Sequence, residues 1–230
     1  MPQPSASRTV SPSLTALVCE RLRTDIIGCD FQPEARLRLE ELRERYGAGA
    51  SPIREALMRL EAEGLVILEQ NRGFRVSPIS RAHLLDLSAN RVEIEGIAIR
   101  WAIDRGGVAW EADIVAAFHR LRRHDKSEAG RPGHVSEAWR REHRDFHRAL
   151  VAGCGSPLLL STREALFDQA ERYVALSIAQ RSPPRDDVAE HRRLMEAMLA
   201  RDLDGAIAAN RQHIERTTEK VLATVRALRS

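Results

Sequence analysis

The chain is expected to be a mainly α protein in two parts, a small N-terminal unit of three helices with a β-hairpin and then an all-α helical bundle. Three observations predict this. Apolar residues recur at helical spacing through most of the sequence. The one interruption is a pair of short β-rich runs between residues 65 and 76, split by an Asn and a Gly. With 43% hydrophobic and 30% charged residues, 230 positions can bury one large core or two small ones, and disorder is excluded as the main state.

Residues 1–12 are Ser/Pro-rich and are expected to form a disordered tail. Leu14, Val18, Leu22 and Ile26 stand four apart, which lines one face of a helix over Leu14 to Ile27, and Gly28 can stop it. Asp30 to Arg36, with Pro33, reads as a loop, and Leu39 to Tyr46 as a short second helix ending at Gly47. Ser51 as a cap and Pro52 in the first helical position signal a third helix, running to about Glu63 and burying Ile53, Ala56, Leu57 and Leu60. Gly64 ends it. Leu65 to Glu69 and Phe74 to Val76 then read as strands, and the Gln70-Asn71-Arg72-Gly73 connection suits a hairpin tip that needs positive φ.

That order of elements is a winged helix-turn-helix, expected over residues 13–78. In such a unit the third helix enters the major groove and the hairpin lies against the backbone or minor groove. Ser77 to Ser80 reads as a linker, with Ser80 capping the next helix.

Residues 79–230 show helical periodicity throughout and are expected to form the second, all-α domain. Its first helix, Arg81 to Arg105, carries Leu84, Leu87, Ile94 and Ala98 on one face. Further helices are expected at about 110–124, 135–152, 157–180, 187–201 and 203–228. The breaks are Gly106-Gly107, Gly130 to Gly133, Gly153 to Pro157, Pro183-Pro184 and Asp202 to Asp204.

Composition excludes several classes. No stretch approaches the roughly 18 unbroken apolar residues of a membrane span, and the first residues lack an apolar signal core, so a cytoplasmic protein without membrane contact is expected. Aromatic residues, at 4%, are too few for modules that stack single-stranded bases. Cys19, Cys29 and Cys154 form no C-x-x-C pair, which suggests neither a disulfide framework nor a thiolate metal site. The formal charge is only +3, from 36 basic and 33 acidic residues, and 34 of the basic ones are Arg because Lys occurs only at 126 and 220. Residues 1–78 hold 11 Arg against 11 Asp and Glu, a net of zero. Bulk charge therefore predicts no nucleic-acid partner, and the case for one rests on where particular arginines sit.

Arg54, placed in the first turn of the third helix, opposes the positive helix end unless an anion compensates. DNA phosphate or a guanine edge would do so, and so would Glu40, Glu41 or Glu44 on the preceding helix. His143 and His147 share a helix face, while His191 and His213 each border the inward face of another helix. Singly each is an ordinary core or surface histidine; together they can converge on a divalent metal at a bundle centre. His83, His119, His124 and His134 are read as surface residues. Arg91 lies on the apolar stripe of its helix, where a guanidinium requires an anion. Glu95, one turn on, is one candidate and a small carboxylate ligand the other.

From Gly28 to Val76 the pattern resembles the DNA-binding domain of the GntR family of bacterial transcription regulators. The run Tyr46-Gly47-Ala48-Gly49-Ala50-Ser51-Pro52-Ile53-Arg54-Glu55-Ala56-Leu57, followed by Gly64-Leu65-Val66 and Asn71-Arg72-Gly73-Phe74, carries the likeness. Two positions depart from it: Ala50 replaces an Arg common before the Ser-Pro pair, and Glu34 replaces the Gly usual after the loop Pro. The resemblance implies a homodimer on a palindromic double-stranded DNA operator. Gly49, Ala50, Ser51, Pro52 and Arg54 would face the DNA from the third helix, and Asn71, Arg72 and Gly73 from the wing.

The second part resembles the FCD effector-binding domain of the FadR subfamily within GntR. Arg91-x2-Ile94-Glu95, His143-x2-Phe146-His147-x2-Leu150, Glu190-His191-x2-Leu194 and Ala206-x6-His213 carry that likeness in order. It implies a metal set of His143, His147, His191 and His213, with His143 standing where the family has Asp or Asn. An all-imidazole set favours Zn, with Ni next, although Asp145 could add an oxygen. The expected effector-binding residues are Arg91, Arg172, Tyr173 and Asn210. The implied effector is a dicarboxylate or hydroxy acid, glutarate-like from the resemblance to glutarate-responsive members.

The expected function is thus a ligand-responsive repressor, not an enzyme. The alternative is a metal-dependent helical hydrolase of the HD phosphohydrolase type, because His124-Asp125 is an HD dipeptide.

Overall fold

A computed structural model of the chain describes residues 13–128, 134–179 and 186–228. The expected tail over 1–12 and the breaks at Gly130 to Gly133 and Pro183-Pro184 lie outside the described residues. Two compact units emerge, one ending at Ser77 and the other beginning at Pro78 and taking in Ile27–Cys29.

The first unit contains α1 (Leu14–Ile27), β1 (Arg36–Leu37), α2 (Leu39–Tyr46), α3 (Ala50–Ala62), β2 (Val66–Glu69) and β3 (Gly73–Val76). Val18, Leu22 and Ile26 of α1 pack inward with Leu42, Ile53, Ala56, Leu57 and Leu60, all buried. Gly47 caps α2 in the left-handed region at φ 61°, the conformation a helix C-terminus most often takes and glycine adopts without strain. Strand order is β1-β3-β2, all antiparallel, with Glu69 opposite Gly73 at the hairpin end. Asn71 and Gly73 take positive φ, 60° and 80°, as the tip requires.

Two expectations are corrected here. Ser51 does not cap α3: Gly49 is the N-cap, in extended conformation and without a side-chain bond, so Pro52 is the third helical residue rather than the first. Proline is accepted there because its missing N–H belongs to the four that an α-helix leaves unpaired. Arg54 accordingly starts the second turn and feels less of the positive helix end. Arg36, read as the end of a loop, forms with Leu37 an edge strand on β3.

The second unit is all α: α4 (Arg81–Arg105), α5 (Val108–Leu121), α6 (Glu137–Ala152), α7 (Pro157–Ala179), α8 (Asp187–Leu199) and α9 (Leu203–Thr224), then a 3-10 turn at Arg226–Leu228. Ser80 caps α4, accepting from the His83 N–H at 3.0 Å. Helix α4 packs against α9, α7 and α6, while α5 packs on α6 and α8 on α9. Tight turns let these helices close: a Cβ at Gly106, between α4 and α5, would strike the Trp110 ring.

Apolar packing is divided into two clusters. One gathers Ala98, Ile99, Ile114, Phe118, Phe146, Leu150, Leu194, Met198 and Ala206; the other holds Leu84, Leu87, Tyr173, Leu176, Val221 and Val225. Between them along α4 come Arg91 and Glu95, along α7 Arg163, and along α9 Asn210, all buried, and Glu171 of α7 is buried beside them. A polar layer therefore crosses the middle of the bundle. Burying charge is costly unless it is paired, so this layer marks where function rather than stability set the sequence.

Candidate functional site

The four expected histidines meet in the polar layer. His143 and His147 rise one above the other from α6, His191 comes from α8 and His213 from α9, and one ring nitrogen from each lies within 4.8 Å of the others. His147 Nε2 and His191 Nε2 face each other at 3.3 Å. Trp139, one turn before His143, stacks on its ring with centroids 4.3 Å apart, which fixes the imidazole plane. Burial, reinforced by His143 and His191, pushes His147 well below the ordinary imidazole value. It is therefore neutral at pH 7 and keeps a lone pair free for coordination.

Carboxylates hold the cluster from outside. Glu190 accepts from His213 Nδ1 at 3.0 Å, and Arg216 reaches its other oxygen at 3.4 Å. Glu171 lies 3.5 Å from His143 Nδ1, and although burial pushes its carboxyl up, the neighbouring imidazole and cations bring it down to about 2. A histidine bonded through Nδ1 to a carboxylate presents Nε2 inward, the usual support of a metal ligand. For His143 the Nδ1–Glu171 contact is an ion-pair approach and not a hydrogen bond, so its carboxylate support is looser than that of His213. The histidine cluster can hold a metal ion. Asp145 contributes nothing to it, lying half-exposed beside Arg148 at 4.0 Å.

Beside the cluster is a cavity of about 30 Å³ lined by Arg91, His143, Phe167, Glu171, His213 and both lysines, among others. Arg91 does reach this wall, and it pairs with Glu95 through Nε at 2.9 Å and Nη2 at 2.8 Å. Both partners foreseen for Arg91 are thus compatible: Glu95 holds it, and one face looks onto the cavity.

The other expected effector residues do not line this cavity. Arg172 donates to the Pro78 carbonyl at 2.9 Å, and the Tyr173 hydroxyl meets His83 Nδ1 at 2.8 Å, so both serve the start of α4 and not the cavity. A helix turns about 100° per residue, and it is Glu171 and Val174 that face the cavity from α7. Asn210 is buried one turn before His213 but is not in the cavity lining. Sequence reasoning also missed Arg163, 1% exposed, and Glu171, and it took Glu190 only as part of a motif, not as the partner of His213.

In the first unit, Gly49, Ala50, Ser51 and Arg54 are exposed at the start of α3, with Pro52 half-buried, and Asn71, Arg72 and Gly73 are exposed at the wing tip. Arg54 makes no ion pair or hydrogen bond among the described residues; Glu40 pairs with Arg43 and Glu41 with Arg38 instead. The helix is held from behind by Arg23 of α1, whose Nε and Nη2 grip Glu63 at 3.0 and 2.7 Å. Two anchored surfaces, an exposed helix start and an exposed hairpin tip, are what groove reading needs.

A winged helix-turn-helix joined to a helical domain with a buried polyhistidine centre defines a DNA-binding transcription regulator. Residues 14–76 match the bacterial regulatory proteins of the gntR family and residues 86–216 match the FCD domain; the chain belongs to the GntR family and carries its FCD domain. It is 40% identical over 200 residues to the HTH-type transcriptional repressor GlaR of Escherichia coli (strain K12), covering 84% of this chain and 89% of that protein. It is 36% identical over 203 residues to the uncharacterized HTH-type transcriptional regulator BphR of Paraburkholderia xenovorans (strain LB400), covering 88% and 83%. In fold it resembles E. coli McbR/YncC, with a TM-score of 0.78 at 21% identity over 93% of this chain and 99% of that one.

The protein is a regulator and not an enzyme. The phosphohydrolase alternative is set aside: His124 and Asp125 are exposed in the turn after α5, outside the four-histidine cluster. Among the described residues no helix is long and apolar enough to cross a membrane.

Proposed function

We propose that the protein is a repressor that binds a palindromic operator as a homodimer and is controlled by a small organic acid held at a metal ion in its helical domain. The observation that carries this reading is the convergence of four imidazoles on one point beside a cavity that Arg91 also lines. An all-nitrogen donor set favours Zn, with Ni next. Bound there, the ion supplies a Lewis-acidic site for a carboxylate oxygen. His143, His147, His191 and His213 hold it, Glu171 and Glu190 orient two of them, and Arg91 adds a second cation for the same carboxylate. The acid is a dicarboxylate or hydroxy acid of the size of glutarate.

On the DNA side, Arg54 reads a base edge or phosphate, Ser51 and the backbone of Gly49 to Pro52 position the helix start, and Asn71 to Gly73 form the wing. Net charge near zero over residues 1–78 leaves little non-specific attraction, so affinity rests on two half-sites read together. The repressor sign is supported by GlaR, whose name carries it. For the acid to act as a switch it must bind the DNA-competent and incompetent states with different affinity.

The test is footprinting of zinc-loaded protein on its operator across C4 to C6 dicarboxylates and hydroxy acids. Release of DNA by one of them is expected, and an unchanged footprint with all of them overturns the effector reading. Bound metal that persists after His143, His147, His191 and His213 are all replaced by Ala overturns the centre.

A further inference from the structure

Lys126 and Lys220 are the only lysines among 36 basic residues, and both line the histidine-side cavity. The cavity has two unlike ends. At the inner end Arg91 and Glu95 are paired with side chains only 9% and 4% exposed. At the outer end Lys126 Nζ meets Asp187 Oδ2 at 2.6 Å, with side chains 27% and 16% exposed. Lys126 also sits 4.6 Å over the ring of Trp139, the same indole that stacks on His143. The outer ion pair therefore stands one aromatic ring away from the metal-ligand cluster.

Size makes that pair consequential. About 30 Å³ holds two water molecules and not an organic acid, so an effector enters only if the wall yields. The inner wall is fixed by packed helices and buried guanidiniums. At the outer end, Lys126 precedes α6 and Asp187 is the first residue of α8, so their contact joins two segments at the mouth. A lysine suits an exchangeable contact: its ammonium is a compact point charge with three donors on a flexible stem and accepts a new carboxylate without matching a fork geometry. Glu171, the acidic residue in the lining besides Asp187, lies 3.5 Å from His143 Nδ1, and among the described residues it makes no ion pair with Lys126.

The geometry points to Lys126 as the residue that recognises a second carboxylate of the effector, taking it in exchange for Asp187 and so opening the outer end of the cavity. This inference rests on the reading that a carboxylate binds at the histidine centre, and adds which acids are selected. An acid with carboxylates at both ends satisfies Arg91 and the metal at one end and Lys126 at the other. A monocarboxylate of equal length pushes a methyl group against an intact ion pair.

Calorimetric titration of the zinc-loaded, full-length protein with C4 to C6 α,ω-dicarboxylates and monocarboxylates of matched length tests it. The best dicarboxylate should bind ~10- to 100-fold tighter than its monocarboxylate, the worth of one charge-assisted hydrogen bond. Lys126→Met should bring that ratio near one, by weakening dicarboxylate binding and no longer opposing the monocarboxylate with an ion pair, while leaving zinc content unchanged. Asp187→Asn should tighten dicarboxylate binding, because it removes the internal competitor; a merely structural ion pair gives weakening instead. A selectivity ratio unaltered in Lys126→Met, or weaker dicarboxylate binding in Asp187→Asn, overturns the proposal. Equal wild-type affinity for both acid classes overturns it alone, whereas no binding of any carboxylate also removes the effector reading on which it stands.

Discussion

Arg91 donates through both Nε and Nη2 to a single oxygen of Glu95, at 2.9 and 2.8 Å. Arg163 comes within 3.9 Å of that same oxygen from α7, and its own Nε and Nη2 have no hydrogen-bond acceptor. One carboxylate therefore serves two buried guanidiniums. Burial pushes the Glu95 carboxyl up, but Arg91 and Arg163 outweigh it and the net direction is down; burial also lowers Arg163. Arg163 has a second carboxylate in Glu164, 3.4 Å from its Nη1, whereas among the described residues Arg91 depends on Glu95 alone.

This sharing predicts an unusual ranking of variants. Glu95→Gln leaves Arg91 without a counter-charge and Arg163 with only its 3.4 Å contact to Glu164, and should destabilise by about 3–5 kcal/mol. Arg91→Met removes one of the cations and leaves Glu95 to Arg163, so it should be the milder change, although it abolishes the effector response. Urea unfolding of the two variants decides the matter, and the reverse order would falsify the shared-carboxylate account.

Arg54 is exposed and unpaired among the described residues, so its removal should be felt by DNA alone. Arg54→Ala is expected to weaken operator binding by about 1–3 kcal/mol for each half-site. Stability should stay within about 0.5 kcal/mol of the parent, as for an ordinary surface change. Gel-shift titration beside a melting curve separates the two; a large loss of melting temperature would mean that the side chain holds α3 rather than reads a base.

Acid should loosen the metal-free protein through His147. Its folded pKa is held well below the ordinary value by burial, so below about pH 6.5 the unfolded chain binds a proton that the folded chain refuses. The contribution is complete above that pH and is lost as pH falls from there through the lowered folded value. Melting temperature followed from pH 8 to pH 5 in the presence of a chelator should decline, and His147→Gln should flatten the decline. Zinc should suppress it in the parent, since the ion takes the lone pair that the proton needs.

Helix ends were readable because each is written in one residue. Gly28, Gly47 and Gly106 stand where α1, α2 and α4 stop, and Ser80 caps where expected. Convergence of the four histidines was readable too, since an i,i+4 pair and two inward stripes leave few other places to meet. The strand at Arg36–Leu37 was not, because two residues carry no period and their pairing is set by β3. Arg163, Glu171 and the pairing of Glu190 with His213 were missed for a related reason. A charged residue on a helix looks solvated until its neighbours in space are known, and theirs come from α4, α6 and α9. Arg172 and Tyr173, expected at the effector, turn elsewhere while Glu171 and Val174 line the cavity, because one residue of helix moves a side chain through about 100°.

Glu34 holds a strained place in the loop after Pro33. Its φ is 66°, in the left-handed region that costs a side-chain-bearing residue about 1–2 kcal/mol. Partial compensation is visible: Arg75 reaches Glu34 at 3.2 Å, and at 63% exposure that pair is worth no more than about 1 kcal/mol. Arg75 keeps Glu69 at 2.9 Å in either case. Replacing Glu34 by Ala and by Gly loses the same ion pair, so the difference between the two variants isolates the backbone. Glycine ordinarily destabilises relative to alanine through its entropy in the unfolded chain. Here Glu34→Gly should be more stable than Glu34→Ala by about 1 kcal/mol, because only glycine accepts this φ freely. Denaturant midpoints of the two variants measure it, and an alanine variant as stable as the glycine one would show that the loop relaxes out of the left-handed region without loss.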